Sequence, residues 1–361
     1  MKSESYSYSD SEMTCGCLET EQIRYRETNK VPHLYFPLLE ETGLIRQAFS
    51  TRLGGVSTGD LASMNFAINR GDDPANVREN YHRMAGALGI SEDHFVLSQQ
   101  THTTNLRVVT EVDAGKGVTR ERDYTDVDGL LTDVPGLVLV TSFADCVPLY
   151  FLDPVKKAIA LSHSGWRGTA GQIGRKTVEK MTEVYHSRPE DMLACVGPSI
   201  CQDCYEVSAD VAEQFQEMFP EDEWNAIMIQ KSNEKYQLDL WEINRRILLS
   251  AGILPCNLPS ISALLCIQKG VDLILCIFQT VSHAHLAAQD LVSHVQKHLL
   301  CLQSCVSREG SPGYHAVHLL DGCVHHLVLC QEGFQAVLCV CHIFSRRYIA
   351  GADGPCCHRL Y

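Results

Sequence analysis

The sequence predicts an α/β protein of the α+β kind, with mixed sheets, and two observations carry that expectation. Apolar β-rich runs are joined by a turn too short for a helical crossover. Amphipathic segments of helical period then follow and separate further strand-like runs.

The hairpin evidence lies in Leu137–His163. LVLVTSF is an apolar run of the kind buried strands have, ADC interrupts it, and VPLYFL, the turn DPVKK and AIALSH follow. Short strands joined by so few residues favour a β-hairpin over a βαβ unit. Upstream, GLIRQAFSTR (43–52) reads as a strand entering the Gly-rich turn LGGVSTGD. Asp73–Leu88 has Asp and Asn early and apolar Val77, Met84 and Leu88 behind them, which predicts a helix. HFVLSQQTH and NLRVVTEV read as strands on either side of His102. Downstream, Ile173, Val178, Met181 and Val184 share one helical face. MLACVGPSI reads as a strand, VSADVAEQFQEMF as a helix capped near Ser208 or Asp210, and YQLDLWEINRRILLSAGI as a strand running into a helix.

Composition divides the chain. Six of the 17 cysteines and six of the 16 histidines precede residue 253, and the remainder crowd into the last stretch. The net charge of −14 is carried wholly by the first 252 residues. Three segments are therefore expected: a Ser- and Tyr-rich disordered leader at 1–21, a catalytic domain at 22–252, and an atypical Cys/His-rich tail at 253–361. Tail runs such as LLCLQSCVSREGSP keep neither period 2 nor period 3.6. A frameshifted or read-through stretch accounts for this better than a zinc module, because Cys339–Cys341, Cys356–Cys357 and His283–His285 lack matched CxxC or HxxxH spacing.

The acidic balance disfavours nucleic acid as a partner, since neutralising phosphates needs clustered Lys and Arg. There is no apolar run of membrane-spanning length and the N-terminus lacks a signal core, so a soluble, cytoplasmic protein away from membranes is expected.

Three elements could carry chemistry. Cys146 sits at the end of an apolar strand, where it either faces a cleft or is one more buried thiol. His163 ends another strand ahead of Gly165-Trp166-Arg167-Gly168, a turn suited to receiving an anion; a core histidine is the competing reading. Gln100-Thr101-His102 is uninformative alone. Together, one Cys and two His suit zinc or copper, and three protein ligands leave a coordination position open for chemistry.

These motifs resemble a known family in order along the chain. QTH, DVDGLLT, ADCVPLYF, HSGWRGT, VGPSI and CYEV, preceded by FSTRLGGVS, MNFAIN and DDPANVRENYHR, are similar to the proteins labelled YfiH-like, polyphenol oxidase or laccase-domain. The likeness runs from about Ile23 to Ile253. It implies a four-layer α/β/β/α sandwich, shared with the cytotoxic necrotizing factor catalytic domain. It also implies one metal ion on His102, Cys146 and His163, zinc in the first place and copper (Cu²⁺) as the alternative. The chemistry implied is phosphorolysis of adenosine, inosine and methylthioadenosine together with adenosine deamination. Purine nucleosides and phosphate are then the expected partners, and a homodimer is left open.

Within that frame Cys146, His163 and Asp145 are the expected catalytic residues, Asp145 orienting a ligand or shuttling a proton. Arg52, Arg167, Asn65 and Gln100 are the expected substrate contacts, the two arginines for phosphate; structural pairing is the rival reading for each. Asp128 is a polar motif position without a derivable role. A copper polyphenol oxidase and a Cys–His amide hydrolase or peptidoglycan-precursor editing enzyme are the alternatives. Multicopper chemistry is disfavoured by the few histidines before residue 253. The family's closing strand is not recognisable after Ile253, and its loss would leave a sheet edge exposed.

Overall fold

The computed structural model describes residues 22–259, except 69 and 233, and the backbone of strands at 274–280, 313–320, 323–332 and 335–342. The expected leader, and the tail's His283, His285, Cys356 and Cys357, lie outside these residues.

Alternation along the central strands dictates the layers. In β7 (Val138–Phe143), Val138 and Val140 point one way, while Leu139 and Phe143 point the other. β8 (Val147–Asp153) and β9 (Ala158–Ser164) are buried on both faces. They send Val147, Leu149, Phe151, Ala158 and Ala160 to one core and Tyr150, Leu152, Ile159 and Leu161 to another. Period-2 strands that are apolar on both faces need cover on both, and that requirement produces a stack of layers.

The first sheet has six strands in the order β1 (Arg24–Thr28), β2 (Val31–Tyr35), β3 (Ile45–Ser50), β14 (Ile274–Thr280), β7 and β4 (Phe95–Leu97). The second runs β10 (Leu193–Val196), β8, β9, β6 (Gly129–Thr132) and β5 (Leu106–Val108). β4–β7 and β5–β6 are parallel and the other pairs antiparallel, so both sheets are mixed. A small third sheet, β11 (Glu206–Ser208), β13 (Lys235–Leu238) and β12 (Met228–Ser232), flanks them.

One core joins the two large sheets, bringing Ile45, Phe49 and Leu139 against Tyr150, Ile159 and Leu161. Outside the first sheet, Val77, Tyr81, Met84 and Ala85 of α2 (Pro74–Leu88) cover Ala48, Val138 and Val140. Outside the second, α4 (Ile173–Tyr185), α5 (Ala209–Gln216) and α7 (Leu240–Ser250) supply Ile173, Val178, Met181, Phe215, Ile243 and Ile247. Each fully buried Leu, Ile or Phe contributes about 1.5–3 kcal/mol of transfer free energy. The order is α/β/β/α, as the resemblance implied. Short helices α1 (Pro37–Glu40), α3 (Trp166–Ala170) and α6 (Trp224–Ile227) complete the set.

Local signals set the ends. Asp73 caps α2 by accepting from the Ala75 amide at 2.8 Å, Pro74 takes the first turn, and Gly89 stops the helix at φ +63°. Helix α4 covers residues 173–185 of the expected segment, and the 147–164 hairpin forms as read.

Beyond the 252 boundary the structure differs from the sequence reading. Ile274–Thr280 pairs with β3 on one side and β7 on the other, so the edge expected to be open is a continuous ladder. The compact unit containing the sandwich accordingly runs to Ser282. The run ILCIFQT carries neither turn signals nor alternation, and its place is set by two waiting edges rather than by local pattern. A second unit, 283–361, contains the antiparallel strands β15 (Gly313–Leu320), β16 (Cys323–Glu332) and β17 (Gln335–His342). Among the described residues no helix is long and apolar enough to cross a membrane.

Candidate active site and metal centre

Two of the candidate ligands sit where the chain passes from one sheet to the other. β4 and β7 are parallel neighbours in the first sheet, so their C-terminal ends emerge side by side. After β4 the chain crosses to β5 through a loop carrying His102; after β7 it crosses to β8 through Ala144–Cys146. β9 is antiparallel to β8 and places His163 opposite Pro148, two residues past Cys146. Alternation along β9 turns Ser162 and Ser164 toward Thr177 of α4 and Asn244 of α7, and His163 toward Phe143 between the sheets, with ring centroids 5.3 Å apart.

The result is one cluster: the ligand atoms of His102, Cys146 and His163 all lie within 4.8 Å of one another. Among the described residues it is the one group of three or more potential metal ligands. The His102 and His163 rings meet edge-to-face at 4.9 Å.

Asp128 organises this cluster. Its fully buried carboxylate accepts from the backbone amides of Thr101, His102 and Thr103, each at 3.0 Å, and from the Thr103 hydroxyl at 3.0 Å. It also meets His163 Nδ1 at 2.9 Å. Burial pushes its pKa up, but the hydrogen bonds from His163 and from the Thr103 and Thr101 amides outweigh burial and hold it at about 2. An ionised Asp128 can only accept, so Nδ1 carries the proton and the lone pair of His163 is on Nε2. The same carboxylate bends the 101–103 loop, where His102 adopts φ +65°. Asp126 braces the loop from outside, accepting from the hydroxyls of Thr101 and Thr103 and from Asn105.

The donor set fits a metal ion by its own chemistry. Burial, then the neighbouring His163, lowers the pKa of His102 and favours the neutral imidazole that can ligate. Burial, then the adjacent Asp145, pushes the Cys146 thiol up to about 12, so a nearby cation is the natural agent for ionising it. Gly165 supplies the clearance: a Cβ there would lie 2.8 Å from Cys146 Sγ and 3.1 Å from His102 Cδ2. The backbone thus packs against two ligand side chains where any larger residue would press on them.

The remaining expected residues divide. Arg167, in the first turn of the short helix α3, is exposed and lies over the Trp166 ring at 4.2 Å; its charge is felt at His102. Asp145 adjoins Cys146 and its carbonyl accepts from the Ile200 amide at 2.9 Å. Gln100 is committed to the backbone of Ser142, donating at 2.5 Å and accepting at 3.2 Å, which ties the His102 loop to β7. Asn65 donates to Asp72 at 2.8 Å and accepts from the Ala67 amide at 2.9 Å. Arg52 donates to the carbonyls of Ala62 at 2.9 Å and Asp60 at 3.3 Å, in its own loop.

Sequence reasoning missed the roles of Asp128, Gly165 and Tyr205. The Tyr205 hydroxyl feels the charges of Cys146, Asp145 and Arg167; burial, then Cys146 and Asp145, raise its pKa, and Arg167 opposes them. The DVDG, HSGWRG and CYEV motifs contained them, but their spacing from His102 says nothing about contact.

The chain is 40% identical over 218 residues to a purine nucleoside phosphorylase of Deinococcus radiodurans, covering 60% of this chain and 79% of that one. It is 34% identical over 215 residues to adenosine deaminase RL5 from an unknown prokaryotic organism, covering 59% and 81%. The crystal structure of Bacillus licheniformis hypothetical protein YfiH superposes with a TM-score of 0.65 at 29% identity, covering 72% of this chain and 99% of that one. Residues 46–264 match the sequence profile described as multi-copper polyphenol oxidoreductase laccase. That match spans more than half of the chain and includes all three clustered ligands: the protein belongs to this laccase-like, YfiH-type enzyme family.

Proposed function

We propose that the chain is a metal-dependent purine nucleoside phosphorylase that also deaminates adenosine, with zinc as its resident ion. The observation that carries the reading is the convergence of His102, Cys146 and His163 on one point beside an exposed Arg167. The relatives' names give the substrate class, a purine nucleoside. A three-ligand N/S set suits both zinc and copper, and a single such group among the described residues suits a one-metal site.

When bound, the ion supplies Lewis acidity at its open coordination position. The chain's own groups do the rest. Arg167 offers a guanidinium to phosphate, and phosphate attacks the ribose C1′ as the glycosidic bond to the base breaks. Asp145, hydrogen-bonded to the Cys146 side chain, is assigned the transfer of a proton to the departing purine nitrogen. Asp128 fixes the tautomer and aim of His163, and Gln100 anchors the His102 loop. Asn65 and Arg52 are assigned positioning roles in the 52–72 loop on the strength of their bonds there.

The test is turnover of inosine and adenosine with and without phosphate on metal-analysed, full-length protein. Phosphate-dependent release of free base with about one zinc per chain is the expected result. Phosphate-independent turnover, or phenol oxidation that rises with copper loading, would overturn it.

A further inference from the structure

One thiol pair outside the ligand cluster is unused by this chemistry. Cys201 and Cys204 form a CxxC sequence across the 3₁₀ turn Gln202–Cys204, and both carry thiols. The Cys204 amide donates to the Cys201 carbonyl at 3.1 Å, and the Tyr205 amide to Gln202 at 3.2 Å. Such an i to i+3 closure keeps the two Cα atoms under about 7 Å, and disulfides span about 4.4–6.8 Å. Cys204 is exposed and Cys201 partly so, whereas Cys195 is fully buried.

The turn is anchored on both sides. Gln237 Nε2 donates to the Asp203 carbonyl at 2.8 Å, and the Leu238 amide donates to Tyr205 at 3.1 Å. On the preceding side the Ile200 amide reaches the carbonyl of Asp145, the residue before Cys146. On the following side the Tyr205 hydroxyl is within electrostatic reach of Cys146, Asp145 and Arg167. Residues 201–204 therefore adjoin the Asp145–Cys146 segment through the residues on either side of them.

We propose that Cys201 and Cys204 are a modification site: they form a reversible disulfide that stiffens the wall holding Asp145 and Tyr205. The partner reagent is a small-molecule disulfide of the glutathione class. Cys204, the more exposed thiol, loses its proton and attacks one sulfur of the reagent, releasing one thiol and leaving a mixed disulfide. Cys201 then loses its proton and attacks the Cys204 sulfur, releasing the second thiol. The two protein thiols give up two electrons and two protons in all, and the reagent becomes two thiols.

The experiment uses zinc-loaded full-length protein equilibrated with glutathione and glutathione disulfide over a range of ratios. Alkylation with peptide mapping locates disulfides, and amide exchange follows residues 144–146 and 200–205. The expected result is a 201–204 disulfide in the peptide map and exchange slowed several-fold in both segments, reversed by dithiothreitol and absent in Cys201→Ser. A second variant, Cys201→Ala, guards against a local effect of serine. Independent alkylation of the two thiols at every ratio overturns the proposal. So does a disulfide that leaves exchange unchanged, or slowing that persists in both variants. The proposal borrows the location of the metal site from the reading above. Neither readout uses nucleoside turnover, so failure of the phosphorylase assignment and failure of the switch are seen separately.

Discussion

Two polar clusters lie in this sandwich, one on each side of the first sheet, and they are built in opposite ways. Beside α2, Asn80 donates to Ser57 at 2.9 Å and to the Asn65 carbonyl at 2.7 Å, and it accepts from the Val56 amide at 2.9 Å. Ser57 donates to Asp72 at 2.6 Å, and Asn65 donates to the same carboxylate. Donors meet acceptors throughout. At the other cluster three groups that can each offer a lone pair, His102, Cys146 and His163, face one another within 4.8 Å. A closed network specifies a loop, whereas converging lone pairs ask for a cation. Both clusters contain motif residues of the family, so motif membership alone cannot separate bracing from chemistry.

The largest expected effect tests the convergent cluster directly. Cys146→Ala, His102→Ala and His163→Ala should each lose the metal and reduce turnover by on the order of 10³-fold or more, read by metal analysis and steady-state rates. A Cys146→Ala protein with full zinc and full turnover would remove the cluster from the mechanism. Asp128→Asn comes next. It keeps a side-chain acceptor for the 101–103 amides but loses the charge facing His163, and metal affinity should fall about 10–100-fold. Unchanged affinity in a competition titration would show that the lone pairs converge without help.

The closed network predicts the reverse signature. Asn80→Ala strips partners from the Val56 amide and the Asn65 carbonyl, at about 1–3 kcal/mol per stranded group. Each kcal/mol lowers Tm by about 2–4 °C in a domain of this size. Metal content per folded chain should not change, and a parallel loss of metal would merge the two clusters into one.

The smallest effect concerns His33, a buried residue of β2 whose Nδ1 bonds the Val31 carbonyl at 3.2 Å while Nε2 lacks a protein partner. Burial, followed by the nearby Arg26, lowers its pKa below 6.5. The unfolded chain then binds more protons than the folded one at mildly acid pH. The stability tied to neutral His33 is complete above pH 6.5 and is lost as pH falls below it. Thermal melts from pH 7.5 downward should show a slope that His33→Gln flattens; equal slopes would mean that other groups set the acid limb.

Much of the fold was readable because local and global demands agreed. The apolar runs of 137–163 alternate between two cores, and Pro74 and Gly89 punctuate α2 where the helix ends. The ligands were identified by likeness to a family rather than by spacing. Separations of 44 and 17 residues carry no geometry until the parallel pairing of β4 and β7 brings two crossings to the same end. Asp128 was named but unassigned, since its role depends on amides lying 25 to 27 residues earlier. Strand β14 escaped notice because its local pattern does not mark it; its pairing with β3 and β7 is a long-range contact.

The passage of the chain between sheets at Ala144–Cys146 has a thermodynamic consequence. An ion held by Cys146 and His102, each on a crossing, and by His163 on the second sheet would act as a rivet through the sandwich. Bound only in the folded state, it would shift unfolding by mass action, about 2.7 kcal/mol when free zinc is 100 times its dissociation constant. Starving a cell of zinc would then lower the amount of this protein, as unriveted chains open and are degraded, as well as its rate.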